Sequence, residues 1–132
     1  MVRVLDDEIP ERNLSGPAEL YLELMVQHRA DFERSIEQTR ADRTHFSGVL
    51  EATPAVRKAH PSGGNFFLLD LRARDPILGL RVKEEMLARY QIELEDVSKR
   101  LLPHAPRIRV AVRTPDEHAH FCEALTQVAA TL

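Results

Sequence analysis

Two extended segments in the second half of the chain constrain its fold most. Residues 61–70 start with a Pro-Ser-Gly-Gly turn and continue as an apolar run, and residues 107–114 alternate aliphatic and basic side chains. A helical pattern and one shorter extended segment separate them. The apolar run is too continuous for an exposed edge strand, so we predict a central strand over residues 65–71.

Three helical patterns surround these strands. The first begins at Pro17 and repeats apolar residues every three or four positions until the Thr-Pro pair at 53–54 ends it. The second begins at the Asp-Pro pair at 75–76, an N-cap acceptor before a proline, and ends near Tyr90. The last begins at segment 114–117, Thr-Pro-Asp-Glu, which fits a capping box.

Short extended segments at 56–59 and 92–94 complete the set of elements and predict the order α-β-β-α-β-β-α. Such an order packs helices against one small sheet of about four strands, a two-layer α+β sandwich. We therefore expect an N-terminal arm or linker over residues 1–16 and one domain over residues 17–132.

Composition excludes several classes of function. The 132 residues carry 18 basic and 21 acidic side chains in a mixed order, with a formal net charge of -3. No block of one sign attracts nucleic acid or a membrane surface, and no apolar stretch approaches the roughly 20 residues of a membrane span. A single cysteine and an N-terminus without an apolar signal sequence indicate a cytoplasmic protein.

The last strand has one apolar and one cationic face. Ile108 and Val110 point to one side, while Arg107, Arg109 and Arg113 point to the other, because side chains alternate along a strand. Two interpretations remain open. The arginines form a solvated face that pairs with carboxylates such as Asp70 or Glu93, or they bind an anion, since a guanidinium group matches a carboxylate.

The order of these motifs resembles a known family. It comprises Pro61-Ser62, Asn65-Phe66 with an apolar strand, a helix, a short strand at Ile92, the strand 108–112 and the capping-box helix. This pattern, over residues 10–125, is similar to the C-terminal small domain of class I/II pyridoxal-phosphate aminotransferases. The branch that it resembles contains histidinol-phosphate aminotransferase and threonine-phosphate decarboxylase.

The resemblance implies roles for a few residues. Arg109 matches the arginine that binds the substrate α-carboxylate. Asn65 matches the family's Asn-Phe position, although an asparagine there also fits a cap for the Gly63-Gly64 turn. Pro10 and Asn13 match an interdomain stretch of the family.

Two departures separate the chain from a complete enzyme of this kind. The family's lysine, which forms the Schiff base with the cofactor, belongs to a large domain upstream of the matched region. Lys58, Lys83 and Lys99 do not lie in that motif. An arginine that some relatives carry beside the third strand is also missing, and Glu93, Glu95 and Asp96 there would repel phosphorylated substrates. Pyridoxal phosphate is therefore expected in a parent enzyme and not in the isolated chain.

Three hypotheses follow. In the first, the chain is part of an aminotransferase that acts on an amino acid and an oxo acid; it contributes carboxylate binding and domain closure, and its partner is the large catalytic domain. In the second, it is a free-standing module that binds a small carboxylate or a protein. In the third, it is an oligomerisation domain whose uncovered sheet face pairs in a homodimer.

Other motifs favour structural roles. The turn at 62–65 lacks the spacing of a phosphate-binding loop. His118 and His120 lie two positions apart on a helix, which does not suit a metal site, and Cys122 lies on an apolar stripe.

Overall fold

A computed structural model describes residues 15–72, 77–98 and 106–132 of the chain. It contains two compact units, Met1–Ile36 and Glu37–Leu132. The predictions for Pro10, Asn13, the helix start at 75–76 and Lys99 lie outside the described residues.

Four helices are present among the described residues: α1 (Gly16–Gln27), α2 (Arg29–Ala52), α3 (Leu78–Tyr90) and α4 (Pro115–Thr131). The first two correspond to the single long helix predicted from Pro17. His28 divides them because its backbone leaves the helical region, with φ of -108° and ψ of 35°. Its N–H still closes α1 on Leu24, and its carbonyl accepts from Asp31 and Phe32 in α2. No proline or glycine marks this break in the sequence.

Helix α1 buries none of its residues. Its exposed apolar side chains are Leu20, Tyr21, Leu22, Leu24 and Val26. None of the helices in the described ranges is both long and apolar enough to cross a bilayer.

The second unit contains a four-stranded antiparallel sheet, which forms one of its two layers. Its strands are β1 (Val56–Ala59), β2 (Phe66–Leu71), β3 (Glu95–Asp96) and β4 (Arg107–Ala111), in the spatial order β1-β2-β4-β3. The prediction that the apolar strand is central is confirmed, since β2 pairs on both sides. Together with the helices this is the α+β fold expected from the sequence.

The third strand was predicted at the wrong position. Residues 92–94 do not pair, and β3 begins at Glu95 instead. The amides of Gln91 and Ile92 still donate to carbonyls of α3, and Gln91 ends that helix in the left-handed region with φ of 57°. The chain must leave this helix cap before it can extend, and this moves the strand toward the C-terminus.

The core lies between one face of the sheet and the helices of the second unit. The C-terminal half of α2, the buried stripe of α3 and the buried stripe of α4 pack on it. The central members are Phe46, Leu50, Phe67, Leu69, Val82, Met86, Ile108, Val110, Phe121, Leu125 and Val128. The opposite face carries the polar residues of β2 and β4 and forms the candidate site.

The capping box that starts α4 is confirmed. The amide of Glu117 donates to Thr114 Oγ1 at 3.4 Å, and the amide of Thr114 donates to Glu117 Oε2 at 3.1 Å. These bonds satisfy amides that the first helical turn leaves unpaired.

Candidate functional site

The three arginines predicted on the last strand do not form one cationic face, and β4 ends at Ala111, before Arg113. Each has its own carboxylate partner: Arg107 pairs with Asp70, Arg109 with Glu95 and Arg113 with Glu117. The expectation that all three are exposed is wrong for Arg107, which is buried. The sheet supplies the reason, because Arg107 lies opposite Asp70 in the β2–β4 register.

Asp70 is a buried carboxylate with three basic partners. Its Oδ1 accepts from Arg107 Nε at 2.5 Å, and its Oδ2 lies 3.0 Å from Arg57 Nη2 and 3.1 Å from His60 Nε2. Burial by itself raises the pKa of Asp70, but the hydrogen bonds from Arg107 and His60 outweigh it and lower the pKa to about 2. Arg107 therefore stabilises the sheet through its ion pair with Asp70 across β4 and β2.

Arg109 lies two residues further along the same face of β4, in an open cleft of about 500 Å³. Its guanidinium group donates to Glu95 Oε2 at 3.1 Å and lies 4.3 Å from the centre of the Phe66 ring. Its side chain remains 47% exposed. The residues that line the cleft are Asn65, Phe66, Lys83, Glu93, Leu94, Glu95, Arg109 and Ala111.

Asn65 and Arg109 both line this cleft. The carbonyl of Asn65 accepts from the amide of Val112 at 2.8 Å, which fixes its backbone beside β4. Ser62, and not Asn65, caps the preceding turn, because the Gly64 amide donates to Ser62 Oγ at 3.1 Å. Arg43 also binds this turn, with Nη1 2.8 Å from the carbonyl oxygen of Gly63.

Two charged residues of the cleft were not recognised as candidates from the sequence. Lys83 lies on α3 and is half-buried, and Glu93 lies between α3 and β3 and is exposed. From the sequence, Lys83 is considered only as a Schiff-base lysine, and Glu93 as a carboxylate partner of the arginines and as a charge that repels phosphate. Their proximity to Arg109 depends on how α3 packs beside β3 and β4, which no local pattern encodes.

The cleft does not fit pyridoxal phosphate. Lys83 would be the candidate for a Schiff base there, but Glu93 and Glu95 line the same space and oppose the phosphate of the cofactor. Lys58 lies on strand β1. Within the described residues, no group of three or more His, Cys, Asp or Glu side chains is arranged to hold a metal ion.

His118 has a structural place in the core. Its Nε2 accepts from the Arg113 amide at 2.9 Å, and its ring stacks on Phe46 with 3.9 Å between centres. Burial, followed by the nearby His45, lowers the pKa of His118. Cys122 is also in the core, where burial raises the pKa of its thiol. Less of the reactive thiolate is therefore present at neutral pH.

Comparison with known sequences gives a distant relative. No family model matches the chain. An uncharacterized protein, y4rO of Sinorhizobium fredii, is 28% identical over 122 residues, which are 91% of this chain and 19% of that protein. This chain therefore corresponds to about a fifth of the length of that relative.

Solved structures share the fold. A decarboxylase from Sulfurospirillum multivorans matches 97% of this chain and 36% of its own, with a TM-score of 0.76 and 24% identity. The L-threonine-O-3-phosphate decarboxylase of Porphyromonas gingivalis matches 80% of this chain and 31% of its own (TM-score 0.65, 27% identity). The histidinol-phosphate aminotransferase of Clostridium acetobutylicum matches 70% and 27% (TM-score 0.58, 18% identity).

The chain thus has the fold of a part of these decarboxylase and aminotransferase structures, and it spans about a third of their length. The resemblance to a small domain of this family, in the threonine-phosphate decarboxylase and histidinol-phosphate aminotransferase branch, is confirmed.

Proposed function

We propose that this chain serves as the substrate-binding small domain of an aminotransferase-like enzyme and that Arg109 binds the substrate carboxylate. The observation that carries the proposal is the exposure of Arg109 and its incomplete set of hydrogen bonds. It is the half-exposed arginine of the sheet face, it lines a cleft with Asn65, and only one of its guanidinium nitrogens, Nη1, donates to Glu95. The remaining N–H groups can bind a carboxylate in the two-pronged geometry that suits both groups.

The surroundings of Arg109 support this role. The Phe66 ring lies under the guanidinium group and restricts it to one side of the cleft. Glu95 holds the arginine in place before a ligand arrives, and its exposed position makes this ion pair weak enough for a ligand to compete. In a parent enzyme, domain closure would carry this cleft toward the substrate, and the cofactor with its lysine would belong to the large domain.

The test is the binding of propionate to the isolated chain, followed by amide chemical shifts in NMR. Arg109→Gln is expected to weaken binding about tenfold, because a charge-assisted hydrogen bond is lost. Arg89→Gln is the matched control, since Arg89 is exposed on α3 and pairs with Glu85. Glu95→Gln is expected to strengthen binding severalfold, because the ligand no longer competes with a carboxylate.

Equal propionate affinity in the wild type and Arg109→Gln would overturn the proposal. Shifts that map outside the cleft would do the same.

A further inference from the structure

A cavity of about 560 Å³ lies at one end of the core, where β4, the first turns of α4 and the segment that leaves α3 meet. Its inner wall is formed by the buried side chains of Phe46, Val110 and Phe121. Tyr90 and Ile92, both half-buried, line another side, and exposed residues surround its mouth. A cavity of this size with an apolar wall is typical of sites for small organic molecules.

His118, which also lines this cavity, carries an unpaired hydrogen-bond donor. Its side chain is 1% exposed, and its Nε2 accepts from the Arg113 amide at 2.9 Å. An imidazole nitrogen that accepts carries no hydrogen, so in the neutral ring the hydrogen is on Nδ1. This Nδ1 is buried and has no hydrogen-bond partner in the ranges 15–72, 77–98 and 106–132.

The surroundings of His118 keep its ring neutral and fixed. Burial, followed by the nearby His45, lowers its pKa, so the ring is uncharged at pH 7. Turning the ring would break its stack on Phe46 and its hydrogen bond from the Arg113 amide. A buried N–H without an acceptor costs free energy, which an acceptor on a bound molecule recovers.

We propose that this cavity binds a small uncharged aromatic molecule with a carbonyl oxygen, which accepts a hydrogen bond from His118 Nδ1. The rings of Phe46, Phe121 and Tyr90 supply faces and edges on which the ring of the ligand packs. A ketone, ester or amide oxygen supplies the acceptor without a charge. The inference does not depend on the proposed function, because Arg109 does not line this cavity.

The charges at the mouth of the cavity favour an uncharged ligand. Arg113 pairs with Glu117 there at 2.9 Å, so its positive charge is already compensated. Glu93 is a further carboxylate at the mouth. An anion would therefore enter beside two carboxylates, while a cation would meet an N–H donor at His118 instead of an acceptor.

The first test follows the ring nitrogens of His118 by NMR while the isotope-labelled chain is titrated with acetophenone. We expect a saturable change in the chemical shift of Nδ1, because its N–H gains an acceptor, together with changes in the amides of the residues that line the cavity. Isopropylbenzene, in which a methyl group replaces the carbonyl oxygen, is the matched probe. It should change the amide shifts and leave the Nδ1 shift as it is.

Two substitutions of His118 separate the roles of its two nitrogens. In His118→Gln the side-chain amide can replace Nε2 as the acceptor from the Arg113 amide, but no donor occupies the Nδ1 position. In His118→Asn the shorter amide places a donor near the Nδ1 position. The affinity for acetophenone relative to isopropylbenzene should fall about fivefold in His118→Gln and should be retained in His118→Asn.

Ile92→Trp tests the location of the probes. The larger side chain fills part of the cavity and should weaken the binding of both probes about tenfold, because it removes apolar contact area from the ligand. Leu87→Trp is the matched control, since Leu87 is exposed on α3 and does not line the cavity. Retained amide spectra of the variants show that a loss of binding is not a loss of fold.

Four outcomes would overturn the proposal. They are an unchanged Nδ1 shift at saturating acetophenone, an unchanged relative affinity in His118→Gln, and equal losses of binding in Ile92→Trp and Leu87→Trp. The fourth is the absence of saturable acetophenone binding, in which case a water molecule is the partner that satisfies Nδ1.

Discussion

Arg107 and Arg109 lie two residues apart on the same face of β4, yet they have different surroundings. Arg107 is buried against Asp70, a carboxylate that is itself 4% exposed and also contacts Arg57 and His60. Arg109 pairs with Glu95 near the sheet edge, and both side chains remain more than a third exposed. The same residue type thus stabilises the sheet at position 107 and remains accessible to solvent at position 109.

The pairing partner decides this difference. Both arginines lie opposite β2, but the carboxylate partner of Arg107 is on that interior strand, whereas the partner of Arg109 is on the edge strand β3, which is two residues long. An ion pair enclosed on both sides resists competition, while one at an open edge exchanges with solvent and ligands. Substitutions at the two ion pairs and at the residues around them test this contrast.

The largest effect is expected from Asp70→Asn. It leaves the buried Arg107 without its counter-charge, which should cost about 3–5 kcal/mol of unfolding free energy in urea denaturation. Glu95→Gln is the same chemical change at the partner of Arg109 and should cost less than about 1 kcal/mol. Similar losses for the two variants would contradict the contrast between the two arginines.

Acid should weaken the ion pair between Asp70 and Arg107. The folded-state pKa of Asp70, about 2, lies below its ordinary value of 3.8. The stabilisation from Asp70 is therefore complete above pH 4 and is lost as the pH falls through the folded value, and it amounts to about 2 kcal/mol.

This contribution is isolated by measuring the unfolding free energy between pH 5 and pH 2 for the wild type and for Asp70→Asn, and comparing the two pH dependences. Glu117 titrates in the same range, because hydrogen bonds from the Thr114 backbone and side chain, then from Arg113, lower its pKa to about 2. That contribution is common to both proteins and cancels. Parallel curves would show that Asp70 is not the titrating group.

Gly79→Ala should destabilise the segment that supports Arg107. A Cβ at this position in α3 would lie 2.6 Å from Asp96 Oδ1 and 2.7 Å from Ser98 Oγ. These atoms are already engaged, since Asp96 Oδ1 accepts from the Ser98 amide and Ser98 Oγ accepts from the Arg107 amide. The expected loss is about 1–3 kcal/mol in thermal or urea unfolding.

Gly48→Ala is the matched control for that substitution. Gly48 lies in α2 with no atom within 4 Å of a built Cβ, so alanine should stabilise the protein by up to about 1 kcal/mol through its higher helix propensity. Changes of the same sign for both variants would show that the contact with Asp96 and Ser98 does not matter.

The smallest effect is expected at the start of α4, which follows β4. Arg113 and Glu117 form an exposed ion pair there, beside the capping box. Thr114→Ala removes the side chain that caps α4 and should cost about 1 kcal/mol. Ser15→Ala is the comparison, because Ser15 is the N-cap of α1 but makes no side-chain cap hydrogen bond. Circular dichroism with urea denaturation should show a loss for Thr114→Ala alone.

Much of the fold was predictable because its signals are local. The apolar run of β2, the alternation of β4 and the capping box of α4 each follow from residues that are close in the sequence, and the structure contains all three. The break at His28 and the shift of β3 were not predictable in this way. Neither involves a proline or glycine signal, and the second follows from a helix cap at Gln91, a residue type that rarely adopts positive φ.

The candidate site was likewise predictable only where its signals are local. Family resemblance in the sequence pointed to Arg109 and Asn65, and the alternation of β4 placed Arg109 on the face away from the core. Only the tertiary structure decided which arginine is enclosed and which charges share the cleft with Arg109. Strand register and helix packing bring Asp70, 37 residues from Arg107 in the chain, and Lys83 into place. Side-chain alternation is a property of one strand, whereas burial and charge neighbours are properties of the whole sheet and its covering helices.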